Sequence, residues 1–471
     1  MADCEHQQAR DQQRQMTLWA HFANVGLGLW LITSALTLGY LDTDPQSAVS
    51  GLLRISAERD LAPISTRNML MAWSDVISGA LVMLFGLLSV SRRCGWAQWA
   101  NALAGVWLLI APLVFWAPSA AAYANHTLVG SLVIAFAILV PAMPGMSKAA
   151  LMDQADIPSG WQYSPSTWLQ RAPLIALALV GFFISRYLTA YQLGHISSVW
   201  DPFFGSGTMT IIGSDVSRAW PVADAGLGAI AYMLEVLMGF MGDKRRWRTM
   251  PWMVVIFGIL IVPLGGISLL FIIIQPIVIG TWCTLCLVAA GAMVIMIPYT
   301  LDEVLATAQF LAQSRRQGKP FWATFWRGGA QESKGQDRER GFDAPPLTVL
   351  AGMLKGGVNL PWTLMLVAAL GVWLMFTRII FGTTGAMADS DHLIGALGIT
   401  VAITAMAEVG RPLRLINVLF GVWLIAAPWI LSGAGAPAAW GSVIASVLMI
   451  GLSLPRGPVR QHYGSWDRYI I

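Results

Sequence analysis

Long apolar runs separated by short polar stretches dominate this chain, and a helix needs roughly 20 apolar residues to cross a bilayer. Twelve such runs stand out, at about 17–40, 68–91, 96–117, 121–145, 172–193, 224–242, 251–274, 277–299, 361–381, 390–408, 415–432 and 438–455. Only Gln275–Pro276 separates the seventh from the eighth. The strict alternation of an outer-membrane barrel is absent. Helices remain, because each closes its own backbone hydrogen bonds within one segment. The predicted fold is therefore all-α: a polytopic membrane protein of about twelve transmembrane helices in three four-helix blocks. A polar stretch at 147–171 and a charged linker at about 301–360 set the boundaries. The expected domains are 1–150, 165–310 and 358–457, with a linker at 311–357. Within it, 316–345 is low in hydrophobicity and is expected to be mobile, with no soluble domain of its own.

Composition agrees. Of the 471 residues, 56% are apolar and 11% are Asp, Glu, Lys or Arg, against about 25% charged in a soluble protein. An ordinary cytosolic enzyme is excluded. The 22 Trp suit anchoring at membrane–water interfaces, so membrane lipid is the first expected partner. With a net charge of +4 and no basic run interleaved with aromatics, nucleic acid is not an expected partner. The first 15 residues are polar and the first apolar run is long enough to span, so no cleavable signal is expected. A cytoplasmic N-terminus leaves 23 of the 29 Lys and Arg in inside loops. Five fall outside (Arg54, Arg59, Arg67, Arg218, Arg378) and Arg186 lies within a span. That asymmetry, with an even number of spans, puts both termini in the cytoplasm.

A repeat runs through the flanking blocks. Asn24-x-x-x-Gly28-x-Trp30-Leu31 recurs as Asn101-x-x-x-Gly105-x-Trp107-Leu108 and as Asn417-x-x-x-Gly421-x-Trp423-Leu424. A degenerate copy, Gly371-x-Trp373-Leu374, has Val367 where Asn would stand. Each copy precedes another apolar span, so the unit is a two-helix hairpin present four times. It resembles the SPW repeat, an integral-membrane module, with Ala in place of Ser in Ala111-Pro112 and Ala427-Pro428-Trp429. Asn and Gly one turn apart allow close helix approach and an interhelical hydrogen bond; the Trp is expected at the interface. Packing is the expected role of these residues.

Of the four cysteines, Cys4 and Cys94 fall on the cytoplasmic side of this topology, where thiols stay reduced. Cys283-Thr284-Leu285-Cys286 opens the eighth span at its outer end. A helix N-terminus favours a thiolate on the first Cys, and the second lies within disulfide reach one turn on. Three readings stand: a redox pair, inert cysteines, or a metal site. Zinc needs about four ligands, no second CxxC exists, and nearby His195 is a single candidate. Copper would have to draw on Met scattered through the spans.

The middle block, about 165–310, resembles the vitamin K epoxide reductase family. The resemblance rests on Ser217-Arg218-Ala219-Trp220, then Asp224-Ala-Gly-Leu-Gly228-Ala-Ile-Ala-Tyr232, and Ile279-Gly280-Thr281-Trp282-Cys283-Thr284-Leu285-Cys286. It implies a four-helix bundle around a quinone, ubiquinone or menaquinone, and a bacterial inner (plasma) membrane. It also implies that Cys286 faces the quinone, that Cys283 exchanges disulfides outward, and that Ser217, Asp224 and Tyr232 line the quinone pocket. Asp224 stands where the family tends to have an amide. A second departure weighs more: the outer loop, 195–222, lacks the relay cysteine pair that the family carries there. Cys283 must then meet an exported thiol directly, or exchange with an extracytoplasmic thioredoxin-like partner. The competing reading is a non-catalytic quinone-binding or scaffold protein built from SPW hairpins. A transporter is suggested by span count and by the interrupted seventh and eighth spans, but the flanking blocks resemble each other and not the middle.

Charges inside spans are functional or paired by default. Arg186 and Glu235, on neighbouring helices, are expected to pair. Asp75, His126 and Asp391 beside His392 are expected to make polar contacts within hairpins, and the loop from Trp200 to Thr208 to lie on the membrane surface.

Overall fold

A computed structural model of the chain describes residues 15–40, 50–139, 146–331, 335, 341–354, 357–433 and 435–470. Cys4 lies outside the described residues, as do parts of the 316–345 linker. Among the described residues the fold is all-α, with two isolated β-bridges, Trp161 to Tyr463 and Val358 to Ala407. The long helices are α1 (Trp19–Thr37), α2 (Ile64–Val90), α3 (Ala97–Val114), α4 (Ala120–Ile138), α5 (Trp168–Gln192), α6 (Asp224–Phe240), α7 (Pro251–Ile274), α8 (Thr284–Arg316), α9 (Trp362–Met375), α10 (Gly385–Thr404), α11 (Ile416–Ile430) and α12 (Ala436–Ser453). Nine helical segments among the described residues are long and apolar enough to cross a membrane. Of the expected spans, 17–40, 224–242 and 361–381 fold as α1, α6 and the shorter apolar α9, which are not among those nine. The linker carries a short helix, Phe321–Arg327.

The chain forms two compact units, Met1–Met146 with Leu179–Met241, and Ser147–Ala178 with Gly242–Ile471. The dividing points fall inside α5 and after α6, so the middle block contributes to both.

In the first unit α1, α2, α3 and α4 pack as a ring, each against the next and α4 against α1. Glycine lets the two helices of a hairpin touch. A Cβ on Gly28 would stand 2.5 Å from the Gly79 carbonyl oxygen, and one on Gly105 2.8 Å from that of Gly130. No side chain fits in such a space. The repeat Asn and Trp reach across to the other hairpin. Asn24 Nδ2 donates to the Val133 carbonyl at 3.5 Å, Trp30 Nε1 to Asn125 Oδ1 at 2.8 Å, and Trp107 Nε1 to Ser74 Oγ at 3.1 Å. At the bundle centre the buried Asp75 carboxylate meets His126 Nε2 and accepts from Ser34 Oγ at 2.8 Å, while His126 Nδ1 faces the Leu108 carbonyl at 3.2 Å.

The second unit repeats this ring with α9, α10, α11 and α12. Gly371 meets Gly395, Gly421 meets Ser446, and Trp423 Nε1 donates to Ser390 Oγ at 2.9 Å. Asp391 accepts from Ser442 Oγ at 3.2 Å. The degenerate copy shows why it differs: Trp373 faces Gly441, where the other copies carry the acceptors Ser74, Asn125 and Ser390. The expected contacts within hairpins form, Ser34 to Asp75, His126 to the Leu108 carbonyl and His392 to the Met375 carbonyl, and others run between hairpins, Asp75 to His126 and Asp391 to Ser442. Asp75 and His126, like Asp391 and Ser442, each lie four residues before the small residue at the hairpin contact. One helical turn from that contact they point to the shared centre.

The expected ion pair of Arg186 with Glu235 is not formed. The Arg186 guanidinium lies over the Tyr123 ring, 6.0 Å from its centroid, and the buried Glu235 carboxylate has no hydrogen-bond partner among the described residues. A buried pair forms instead in the second unit. Arg246 donates through Nε and Nη2 to the two Glu303 oxygens at 2.6 and 2.7 Å, wholly buried.

Breaking a buried pair by deleting one partner costs about 3–5 kcal/mol. H126A is therefore expected to lower the thermal midpoint of the purified protein sharply. The double variant D75L/H126L, which leaves no lone charge, is expected to recover much of the loss. Additive losses in the double variant would contradict the pairing.

Candidate redox site

The cysteine pair sits where a helix breaks and restarts. Pro276 cannot donate a backbone hydrogen bond, and after α7 the chain widens into a π-turn over Gln275–Ile279. Gly280 follows with φ of 86°, a left-handed conformation that glycine adopts without strain. Cys283 then caps α8 from an extended conformation, its Sγ accepting from the Cys286 N–H at 3.0 Å. Cys283 and Cys286 are disulfide-bonded, with Cα atoms 5.2 Å apart. Buried Gln275 holds the loop from behind, its Oε1 accepting the Cys283 N–H at 2.9 Å. Cys283 is fully enclosed, while Cys286 is half-buried against an apolar cluster of Ile272, Met375 and Ala396. The arrangement is a disulfide at a helix N-terminus, where the unpaired N–H groups stabilise sulfur anions on reduction.

In the first unit Ser217 and Asp224 come together. Ser217 Oγ donates to Asp224 Oδ1 at 2.9 Å, and Gln192 Nε2 donates to the same carboxylate and to Ser217 Oγ at 2.9 Å. Gln192 Oε1 accepts the Ala225 N–H at 3.1 Å, tying the end of α5 to the start of α6. Tyr232 is not part of this network; its ring packs over Gly181 of α5. The two polar candidates are thus bonded to each other and to Gln192, so either contacts a ligand only by exchanging those bonds. Gln192 and Gln275 were not singled out by the sequence. The available signal was a lone amide at each end of an apolar run.

The remaining loop features are structural. Asp201 accepts from the Phe203, Phe204 and Thr208 N–H groups at 3.0–3.1 Å, which leaves Trp200 and Phe203 exposed. His195 Nε2 meets the Ala117 carbonyl at 2.8 Å, and burial pushes its pKa down. No group of three or more His, Cys, Asp or Glu among the described residues is arranged to hold a metal ion. Cys94 is a free thiol.

Removing an acceptor from buried donors costs about 1–3 kcal/mol. D224N keeps an acceptor oxygen for Ser217 and Gln192, so its thermal midpoint should stay near wild type. D224A, which takes the shared carboxylate away and leaves Ser217 and Gln192 only the Ile212 carbonyl and each other, should lose several degrees. Equal losses in the two variants would contradict the network.

Comparison with known families finds matches in three segments of the chain. Residues 172–301 match the vitamin K epoxide reductase family. Residues 47–140 and 361–455 match the SPW repeat domain. No curated protein and no solved structure matches the chain.

Proposed function

We propose that this protein is a membrane thiol–disulfide oxidoreductase that passes two electrons from an exported thiol, or from a thioredoxin-like partner, to a membrane quinone. The observation that carries the reading is the Cys283–Cys286 disulfide at the N-terminus of α8, inside a segment that matches a quinone-linked redox family. The proposed topology has twelve spans with both termini cytoplasmic, in a bacterial plasma membrane, which places the pair on the oxidising face. The quinone supplies a two-electron, two-proton sink that reoxidises the pair.

The chain's own residues do the rest. In the outward half, a substrate thiolate attacks Cys283 Sγ, the Cys283–Cys286 bond breaks, and Cys286 leaves as a thiolate at the helix N-terminus. A second substrate thiolate then attacks the mixed disulfide, so one substrate disulfide forms and Cys283 and Cys286 end as two thiols. Cys283 is enclosed in the oxidised state, so outward exchange requires the loop around Trp282 to open. Cys286, half-buried against apolar side chains, faces the quinone in this scheme. Ser217, Asp224 and Tyr232 are proposed as quinone contacts on the sequence resemblance, and Gln192 as the group that orients Ser217 and Asp224.

The loop between His195 and Val222 contains no cysteine, which is what favours the second reading, a non-catalytic quinone-binding or scaffold protein. Trapping separates the two. C286S removes the resolving sulfur, so under mild oxidation a mixed disulfide should accumulate between Cys283 and an extracytoplasmic thiol protein. The double variant C283S/C286S should show none. No adduct on C286S contradicts the oxidoreductase reading.

A further inference from the structure

A residue of the C-terminal repeat domain holds the cysteine loop. His392, wholly buried on α10, faces two backbone carbonyls. Nδ1 lies 3.1 Å from the Met375 oxygen and Nε2 3.1 Å from the Ile272 oxygen. Both carbonyls lack their helical donors. Met375 is the last residue of α9, where carbonyls are orphaned by helix geometry. Ile272 would accept from residue 276, which is Pro276 and has no N–H. The break that opens the cysteine loop therefore creates the acceptor that His392 fills.

The same imidazole reaches the far end of the loop. The Trp282 ring packs edge-on against it with centroids 6.3 Å apart, and Trp282 also meets Phe376 at 5.8 Å. From Ile272 three residues lead to Gln275, whose side chain holds the Cys283 N–H; from Trp282 the next residue is Cys283. Met375 and Ala396, on α9 and α10, belong to the apolar cluster against which Cys286 rests. His392 thus touches both ends of the segment that fixes the two sulfurs, while the repeat motif itself has no need of it. The equivalent position in the first domain, three residues before Gly79 as His392 is before Gly395, is Val76.

We propose that His392 is a positioning residue for the redox pair, through which the C-terminal repeat domain sets the disulfide's reduction potential. The proposal rests on the oxidoreductase reading. Reduction adds two electrons and two protons to the Cys283–Cys286 bond and gives two thiols, with an external dithiol or glutathione as reductant. His392 holds the loop in the geometry of the closed disulfide, so loss of its ring N–H and its packing against Trp282 weakens the oxidised state relative to the reduced one.

The test equilibrates the full-length protein, purified in detergent, against graded glutathione redox buffers and reads Cys283 and Cys286 by alkylation gel shift. H392F keeps the ring volume and removes the imidazole nitrogens that face the two carbonyls. It should shift the equilibrium toward the dithiol by about tenfold, about 30 mV for a two-electron couple. H392Q retains an amide donor and should restore most of the wild-type potential, a rescue that packing alone does not predict. Equal potentials in wild type and H392F overturn the proposal, as does a shift in H392Q as large as in H392F. H392L takes the place of H392F if the latter does not accumulate. The oxidoreductase reading fails separately: a wild-type pair that exchanges with glutathione but never with a thiol protein or quinone would sink it and leave the potentials measured.

Discussion

In hydrocarbon a polar group that leaves its partner finds no water to replace it. The central polar contacts of the two repeat bundles follow from that constraint. In the first repeat domain it produces cross-hairpin bonds: Trp30 to Asn125, Trp107 to Ser74, Asn24 to Val133, and Asp75 to His126 at the centre. Glycine supplies the other half, since Gly28 against Gly79 and Gly105 against Gly130 bring the hairpin backbones within reach. Association in lipid depends on such contacts more than on apolar burial, because lipid tails are as apolar as leucine. The second domain keeps the scheme and varies the partners, with Asp391 and Ser442 in the central places.

The same constraint shapes the redox loop. A proline at 276 removes a donor, and the carbonyl it strands at Ile272 is met by a histidine from another helix. The π-turn and Gly280 then reverse the chain so that Cys283 caps α8. Gln275 faces inward and ties the cap to the end of α7. The chemistry at the sulfurs thus depends on a break in a helix, and the break is stable because side chains around it satisfy what it exposes. Glu235 is one of the buried groups left out of such bonding: its carboxylate has no hydrogen-bond partner among the described residues.

Much of this was legible in the sequence. Apolar runs gave the all-α membrane fold, and the Asn-x-x-x-Gly-x-Trp pattern gave the hairpins. The CxxC at a span start gave the pair, and Ser217 with Asp224 were placed in one neighbourhood. What was not legible depends on which helix faces which. The sequence places Asp75 and His126 after their repeat tryptophans but does not say that they meet across two hairpins. Arg186 and Glu235 occupy matching depths on paper, yet the Arg186 guanidinium lies over the Tyr123 ring instead. Arg246 reads as one of a basic cluster, and only the fold buries it against Glu303. Gln192, Gln275 and His392 are single polar residues beside or within apolar runs. Their value lies in the carbonyls and N–H groups they meet, and no spacing rule predicts those.

The central claim is that Cys283 and Cys286 cycle between disulfide and dithiol with a membrane quinone as electron acceptor. The most direct measurement is the redox state of the two cysteines in native membranes, read by alkylation gel shift with quinone present and with quinone depleted. The account predicts a disulfide that becomes reduced when quinone is removed and returns when it is restored. Thiols that stay reduced throughout, or a disulfide indifferent to quinone, would contradict it.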